Sequence, residues 1–375
     1  MKTWSASSSS PSARDAAEDA LAALGSALDA VVAGFFALSG ELSTALFAPT
    51  TLLLAGPGVG ARAYDGRSLE PGRGVPRPRG YRREEEIPLA ARAAVPRGVA
   101  AVLLAHANWG RRPLRELTAY GSTLARRAGQ RDRAEFLARI GATGSGAIFL
   151  ERARLTRAAG PNAGGTLSEA DLELATPLDE DATIATIDLP ETSEEMRLAF
   201  EPFTRRVQPI ADNRKRAAKN PLDLPPTTIV ASDRWGRTAS CAVFHRASLH
   251  RGRALDVEGL DVALPLTATP VRRGTPRVAV GSVHLVAPTL VNLDCGPELR
   301  AAIAVPDGLP AAQVVGEVLS ARPISHALAA LGRGGPVVFA LTSGTSGEVN
   351  VEDSGAALLR SARPPRPEPS EGAAS

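Results

Sequence analysis

The sequence predicts a single domain of mixed α+β type with its helices and sheets in layers. Three features point there. The first half carries apolar residues at helical spacing. The stretch after Pro225-Pro226 carries short β-branched runs, and a hairpin signature interrupts the helical part near its start. With 375 residues, 44% of them apolar, the chain can bury a sizeable core. Aromatic residues make up only 4%, so that core must be mostly Ala, Val and Leu. No internal repeat and no Pro/Gly-rich linker divides it.

The elements follow in order. Residues 1–14 are polar and Ser-rich and read as a disordered tail. From Ala16 to Leu38 the Ala/Leu/Val pattern has helical period, with Asp15 as N-cap. Thr50–Ala55, then Gly56-Pro57-Gly58-Val59-Gly60, then Ala61–Tyr64 spell strand, turn, strand. Residues 66–86, rich in Gly, Pro and Arg, read as a surface loop. Helices are predicted over Val99–Ala107, Pro113–Ala128, Ala134–Ile140 and Ala147–Arg157. Thr166-Leu167-Ser168-Glu169 has capping-box spacing and opens a short helix. A strand is predicted over Thr183–Ile187, and Glu191–Asn220 is charged and partly helical. Further strands are predicted over Thr227–Ser232, Thr238–Phe244, Val278–Val286, Thr289–Leu293 and Val337–Leu341. A helix is predicted over Pro310–Leu319, and residues 361–375 form a solvated tail.

Several function classes are excluded. Net charge is +3, from 43 basic against 40 acidic residues, and the arginines are scattered without a groove-reading motif, so no nucleic-acid partner is expected. Cys241 and Cys295 form no CxxC pair and have no metal-ligand spacing, and they read as small buried hydrophobes. His245, His250 and His284 lack helical i, i+4 logic, so no metal is expected. The Gly56–Gly60 run lacks the following Lys of a phosphate loop, and no cofactor is implied. Met1-Lys2-Thr3-Trp4 is followed by serines rather than an apolar run, and Ala27–Leu38 is too short to span a bilayer. The expectation is a soluble, cytoplasmic protein with no membrane partner.

A colinear set of segments resembles the gamma-glutamyltransferase family. Gly25-Ser26-Ala27-Leu28-Asp29-Ala30-Val31 is similar to the family's Gly-Asn-Ala-Val-Asp-Ala-Ala helix. Tyr64-Asp65-Gly66-Arg67 with Pro71 is similar to its Asp-Gly-Arg-Glu-x-Ala-Pro segment. Val95-Pro96-Arg97-Gly98, His106, Trp109-Gly110 and Pro113 follow the family's Val-Pro-Gly, histidine, Tyr-Gly and proline. Gly164-Gly165-Thr166-Leu167-Ser168-Glu169-Ala170-Asp171-Leu172 and Ala287-Pro288-Thr289-Leu290-Val291 match two further stretches. The resemblance spans about residues 16 to 355. It implies a four-layer α/β/β/α sandwich of the N-terminal-nucleophile hydrolase type, with 15–226 as the large-subunit part and 227–360 as the small. Family members cut themselves before a threonine, which then attacks gamma-glutamyl bonds such as that of glutathione.

The implied chemistry is poorly matched. Thr227-Thr228-Ile229-Val230-Ala231 stands where the family has Thr-Thr-His-x-Ser, so Thr227, with Thr228 beside it, is the candidate nucleophile. A freed N-terminal amine would serve as its base. The competing reading is two β-branched residues opening a strand, which Ile229 and Ala231 favour. Thr227 also lies one residue nearer the turn aspartate, Asp233, than the family pattern predicts. Cys295-Gly296-Pro297-Glu298-Leu299-Arg300 replaces the glycine loop that supplies oxyanion donors. His284 and Leu285 replace the serine pair, and no clear match to the amine-binding stretch lies near Gly259-Leu260-Asp261. Arg67 alone is retained, either as a clamp for a gamma-glutamyl or other small carboxylate, or as an ordinary surface arginine beside Asp65. Between Leu172 and Thr227 the family carries a long insertion that is shortened here. The sequence therefore predicts a catalytically degenerate binding or partner protein, its protein partner unspecified. The alternative is an active, divergent enzyme cut before Thr227.

Overall fold

The computed structural model describes residues 4–76, 78–181 and 226–283. Beyond these it describes the backbone of strands at 183–188, 195–200, 289–294, 299–305, 338–343, 347–351 and 357–361. The serine-rich start is not a tail. Ser5–Ser8 form strand β1, and Ser10 caps helix α1 (Pro11–Ala22), its side chain accepting from the Ala13 amide with Pro11 at the first turn. Asp15 therefore sits inside a helix rather than at its cap.

The long helical pattern splits in two. Leu24 adopts φ +68 and the Gly25 amide returns to the Ala20 carbonyl, which ends α1. Helix α2 (Ala27–Glu41) restarts at a capping box formed by Ser26 and Asp29. It is buried on every side from Ala27 to Gly40, so its sequence shows little polar face.

A six-stranded antiparallel sheet forms the scaffold. Its order is β1, β7 (Thr227–Ser232), β8 (Thr238–Val243), β2 (Thr50–Gly56), β3 (Gly60–Gly66) and β4 (Leu178–Asp181). The hairpin β2–β3 is as the sequence predicts, with Gly56, Gly58 and Gly60 all at positive φ in its turn. Helices α1 and α2, with α3 (Gly98–Trp109), cover one face. Behind α2 lie α4 (Leu114–Arg127) and α5 (Arg131–Thr143). The α2–α4 crossing is close: a Cβ at Gly40 would come 2.1 Å from the Gly121 carbonyl oxygen, and one at Gly121 would come 2.0 Å from that of Phe36.

The predicted helix Ala147–Arg157 is broken into α6 (Ser145–Leu150) and α7 (Arg152–Ala159). The capping box near residue 168 is displaced from the predicted one. Ser168 and Asp171 form it, two residues later than Thr166 and Glu169, and it opens α8 (Glu169–Glu173). The predicted surface loop is partly interior: Arg67, Ser68 and Glu70 are buried, and Leu69 bridges to Val95 and Val283.

A second antiparallel sheet has the order 338–343, 299–305, 289–294, β6 (Glu195–Phe200), β5 (Thr183–Asp188). It lies against the first, with 338–343 over β7 and β1, 299–305 over β8, and 289–294 over β2. Each sheet takes strands from both sides of Thr227. Residues 278–283 carry only an isolated bridge rather than the predicted strand. The rest of that prediction, the helix at Pro310–Leu319, most of Glu191–Asn220 and the tail from 362 lie outside the described residues. The described layers are therefore helix, sheet and sheet.

The core is rich in Ala, Val and Leu as composition requires. Two phenylalanine pairs sit within it, Phe35–Phe36 edge-on at 5.3 Å and Phe47–Phe136 at 6.1 Å. Cys241 is buried, while Cys295 lies outside the described residues.

Candidate functional site

The strands bring the candidate residues to one end of the first sheet. Register aligns Thr227, Val243, Thr50 and Gly66 in one row, and Thr228, Ala242, Thr51 and Asp65 in the next. Directly paired residues share a face, and successive residues alternate. A Cβ at Gly66 would meet α3 at Ala101 and Gly98, and one at Gly34 of α2 would meet Ile229. The Thr227 row therefore faces the helices, together with Ile229. The Thr228 row faces the second sheet.

Thr228 is held by the chain's opening segment. Its carbonyl accepts from the Ser8 hydroxyl at 2.7 Å and the Ser9 amide at 3.2 Å, and its own amide donates to Ser9 Oγ at 3.1 Å. The residue is 2% exposed, and its hydroxyl has no hydrogen-bond partner among the described residues. The serines escape a sequence reading because a polar run beside a distant strand looks like any solvated tail.

Three strand spacings away, about 14 Å, stands a buried charge cluster. Arg67 is 1% exposed, with Nε and Nη2 donating to the two oxygens of Asp65, each at 2.9 Å. The surface-arginine reading is thus corrected to a buried one, and the Nε–Nη2 edge is occupied by the neighbour Asp65. Arg97 joins them. Its Nε donates to the Arg67 carbonyl at 2.8 Å and its Nη1 to that of Thr176 at 3.0 Å, while Nη2 lies 3.6 Å from Asp65 without a hydrogen bond. Burial pulls the Arg97 pKa below its usual range; Asp65 opposes this and Arg67 adds to it. Two guanidiniums thus share one carboxylate in the interior. The Thr51 and Ser68 hydroxyls beside this cluster also lack partners. Arg97, between Pro96 and Gly98, is a buried member of this cluster that the sequence reading did not single out.

Other conspicuous groups are structural. Asp29 accepts the amides of Ser26, Arg111 and Arg112, and His106 Nε2 pairs with the Arg112 carbonyl oxygen at 2.9 Å. Asp261 pairs with Arg133 at 3.2 Å. His245 and His250 both have pKa values lowered first by burial. Among the described residues no three His, Cys, Asp or Glu side chains could hold a metal, and no helix is long and apolar enough to cross a membrane. His284, Leu285 and residues 295–298 lie outside the described residues; Leu299 and Arg300 open a strand.

No family model matches the sequence, and no curated protein is similar to it at a significant level. Solved structures are similar in fold. Cephalosporin acylase from Bacillus halodurans aligns over 87% of this chain and 81% of its own at 16% identity and TM-score 0.58. LmbA2991HD aligns over 87% and 84% at 15% identity and TM-score 0.56. A gamma-glutamyltranspeptidase from Pseudomonas nitroreducens aligns over 52% and 69%, at 20% identity and TM-score 0.43. The acylase alignment, over four fifths or more of both chains, shows that the two share a mixed α+β fold.

Proposed function

We propose that this chain is a catalytically degenerate relative of the gamma-glutamyltransferases that keeps the scaffold as a binding or partner protein. The observation carrying this reading is the direction of Thr227. Acyl transfer from an N-terminal threonine needs its hydroxyl open to a substrate carbonyl and its amine free as base. Thr227 turns onto the helical face at 9% exposure. Thr228 turns the other way, and its amide donates to Ser9 Oγ. The groups once suited to the chemistry are therefore split between two faces.

The charge cluster supports a small carboxylate, gamma-glutamyl or otherwise, as the ligand. Among the described residues, Arg97 Nη2 and the Thr51 and Ser68 hydroxyls are without a hydrogen-bond partner and can donate.

Intact-mass measurement after prolonged incubation tests the proposal. The expected result is a single species of 38.9 kDa and no glutamate released from a gamma-glutamyl anilide. A fragment beginning at Thr227, lost in Thr227→Ala, would overturn it in favour of a working enzyme.

A further inference from the structure

Two large apolar side chains, Trp235 at 37% and Leu24 at 58% exposure, lie at one end of the first sheet. Trp235 is in the β7–β8 turn and Leu24 in the junction between α1 and α2. Those two segments are bonded twice: Arg234 Nη2 donates to the Leu21 carbonyl at 3.1 Å, and the Ala27 amide donates to Asp233 at 3.0 Å. Asp233 also accepts the amides of Trp235 and Arg237, which fixes the turn. Leu24 has φ +68, a backbone that favours glycine at a helix end, so the fold itself gives no reason for an exposed leucine there. Arg111 lies over the Trp235 ring, 4.0 Å from its centroid, and Arg234 lies 5.7 Å from it. Arg237 Nε donates to the Pro57 carbonyl, which places the β2–β3 turn alongside. Among the described residues none of these three guanidiniums meets a carboxylate. The two aspartates at this end, Asp29 and Asp233, are buried and taken up by backbone amides. Asp19, on the last turn of α1, instead lines a hollow with Arg112 and Glu116.

We infer that this end of the sheet is a docking surface for an acidic segment of a partner protein. The segment sets aspartate or glutamate side chains on Arg111, Arg234 and Arg237, and an apolar side chain against Trp235 and Leu24. Charge complementarity selects this occupant, because the cations here have no anion of their own chain to satisfy them. Tryptophan and arginine are also the residues that most often anchor protein contacts, and a turn already fixed by Asp233 loses little freedom when bound. A bilayer fits less well: driving the Trp235 ring into hydrocarbon would take the guanidinium stacked on it out of water. A nucleic acid also fits less well, since the cations cluster at one end rather than forming a stripe for a phosphate backbone. The surface lies about 20 Å along β7 from Thr227. It therefore stands apart from the ligand and the lost activity proposed above, and glutamate release from an anilide has no bearing on it.

Fluorescence anisotropy on the full chain tests this, with a fluorescein-labelled peptide of four Glu-Glu-Leu repeats and its Gln-Gln-Leu counterpart as probes. The acidic peptide should bind with a dissociation constant below about 1 mM, at least about tenfold tighter than the neutral one, and should weaken as salt rises. Trp235→Ala, and Arg111→Gln combined with Arg234→Gln, should each weaken it at least about fivefold. Leu24→Gly suits the backbone of that position, so it keeps the fold, and it should weaken binding at least about twofold. Arg131→Gln, at an exposed arginine on α5, should leave binding unchanged. No binding of the acidic peptide at about 1 mM overturns the inference, as does an equal loss in Arg131→Gln. Tighter binding of an oligothymidylate or of phosphatidylserine vesicles than of the peptide, lost in Trp235→Ala, overturns it in favour of that partner.

Discussion

The two ends of β7 are built on opposite terms. At the far end Asp233 is 2% exposed, and its carboxylate accepts the amides of Ala27, Trp235 and Arg237 at 2.9–3.0 Å. That single side chain ties the β7–β8 turn to the start of α2. At the near end Thr228, and farther across the same end of the sheet Thr51, Ser68 and Arg97, each keep a buried polar atom without a hydrogen-bond partner among the described residues. Buried polar groups are normally satisfied, so the first end is closed by its own hydrogen bonds, while the second leaves polar atoms that the fold does not satisfy.

The strongest way to break this contrast is Asp65→Ala. It removes the carboxylate that both buried guanidiniums approach and should cost about 3–5 kcal/mol in urea unfolding. A loss below about 1 kcal/mol would mean that the two arginines find other anions. Asp233→Ala should come next, at about 2–3 kcal/mol, since three turn and helix amides lose their acceptor. Thr51→Val should act in the opposite direction and stabilise by about 1 kcal/mol, because a hydroxyl without a partner gives way to a methyl group of the same shape. Destabilisation by Thr51→Val would show that the hydroxyl is bonded after all.

The smallest effect concerns pH. His245 has a lowered pKa in the fold, chiefly through burial, with Arg246 adding to the shift and Glu41 opposing it. The unfolded chain therefore binds a proton more readily over the window below about pH 6.5. Stability should fall as pH drops through that window and level off below the folded pKa. His245→Gln should flatten the pH dependence of the melting temperature.

Periodicity made the hairpin, α3, α4 and the strands at 227 and 238 legible, because each has a clear period and a distinct turn. The break between α1 and α2 was hidden, since leucine in a left-handed conformation has no signature in an apolar helical run. The strand at Ser5–Ser8 was hidden for a related reason: its partner is not local. The candidates Thr227, Thr228 and Arg67 came from the resemblance. Their faces could not be read, because side-chain direction depends on register with strands elsewhere in the chain. Arg97 was passed over as one arginine among many, and only burial beside Asp65 distinguishes it.

The bond from Ser8 to the Thr228 carbonyl closes a loop of 220 residues. As the chain leaves the ribosome, β1 must wait for a mate made 220 residues later. Such non-local pairing slows folding, and a separately expressed amino-terminal half would have no β7 on which to lay β1. The two halves thus form one cooperative body, and a nick ahead of Thr227 would be visible only after denaturation.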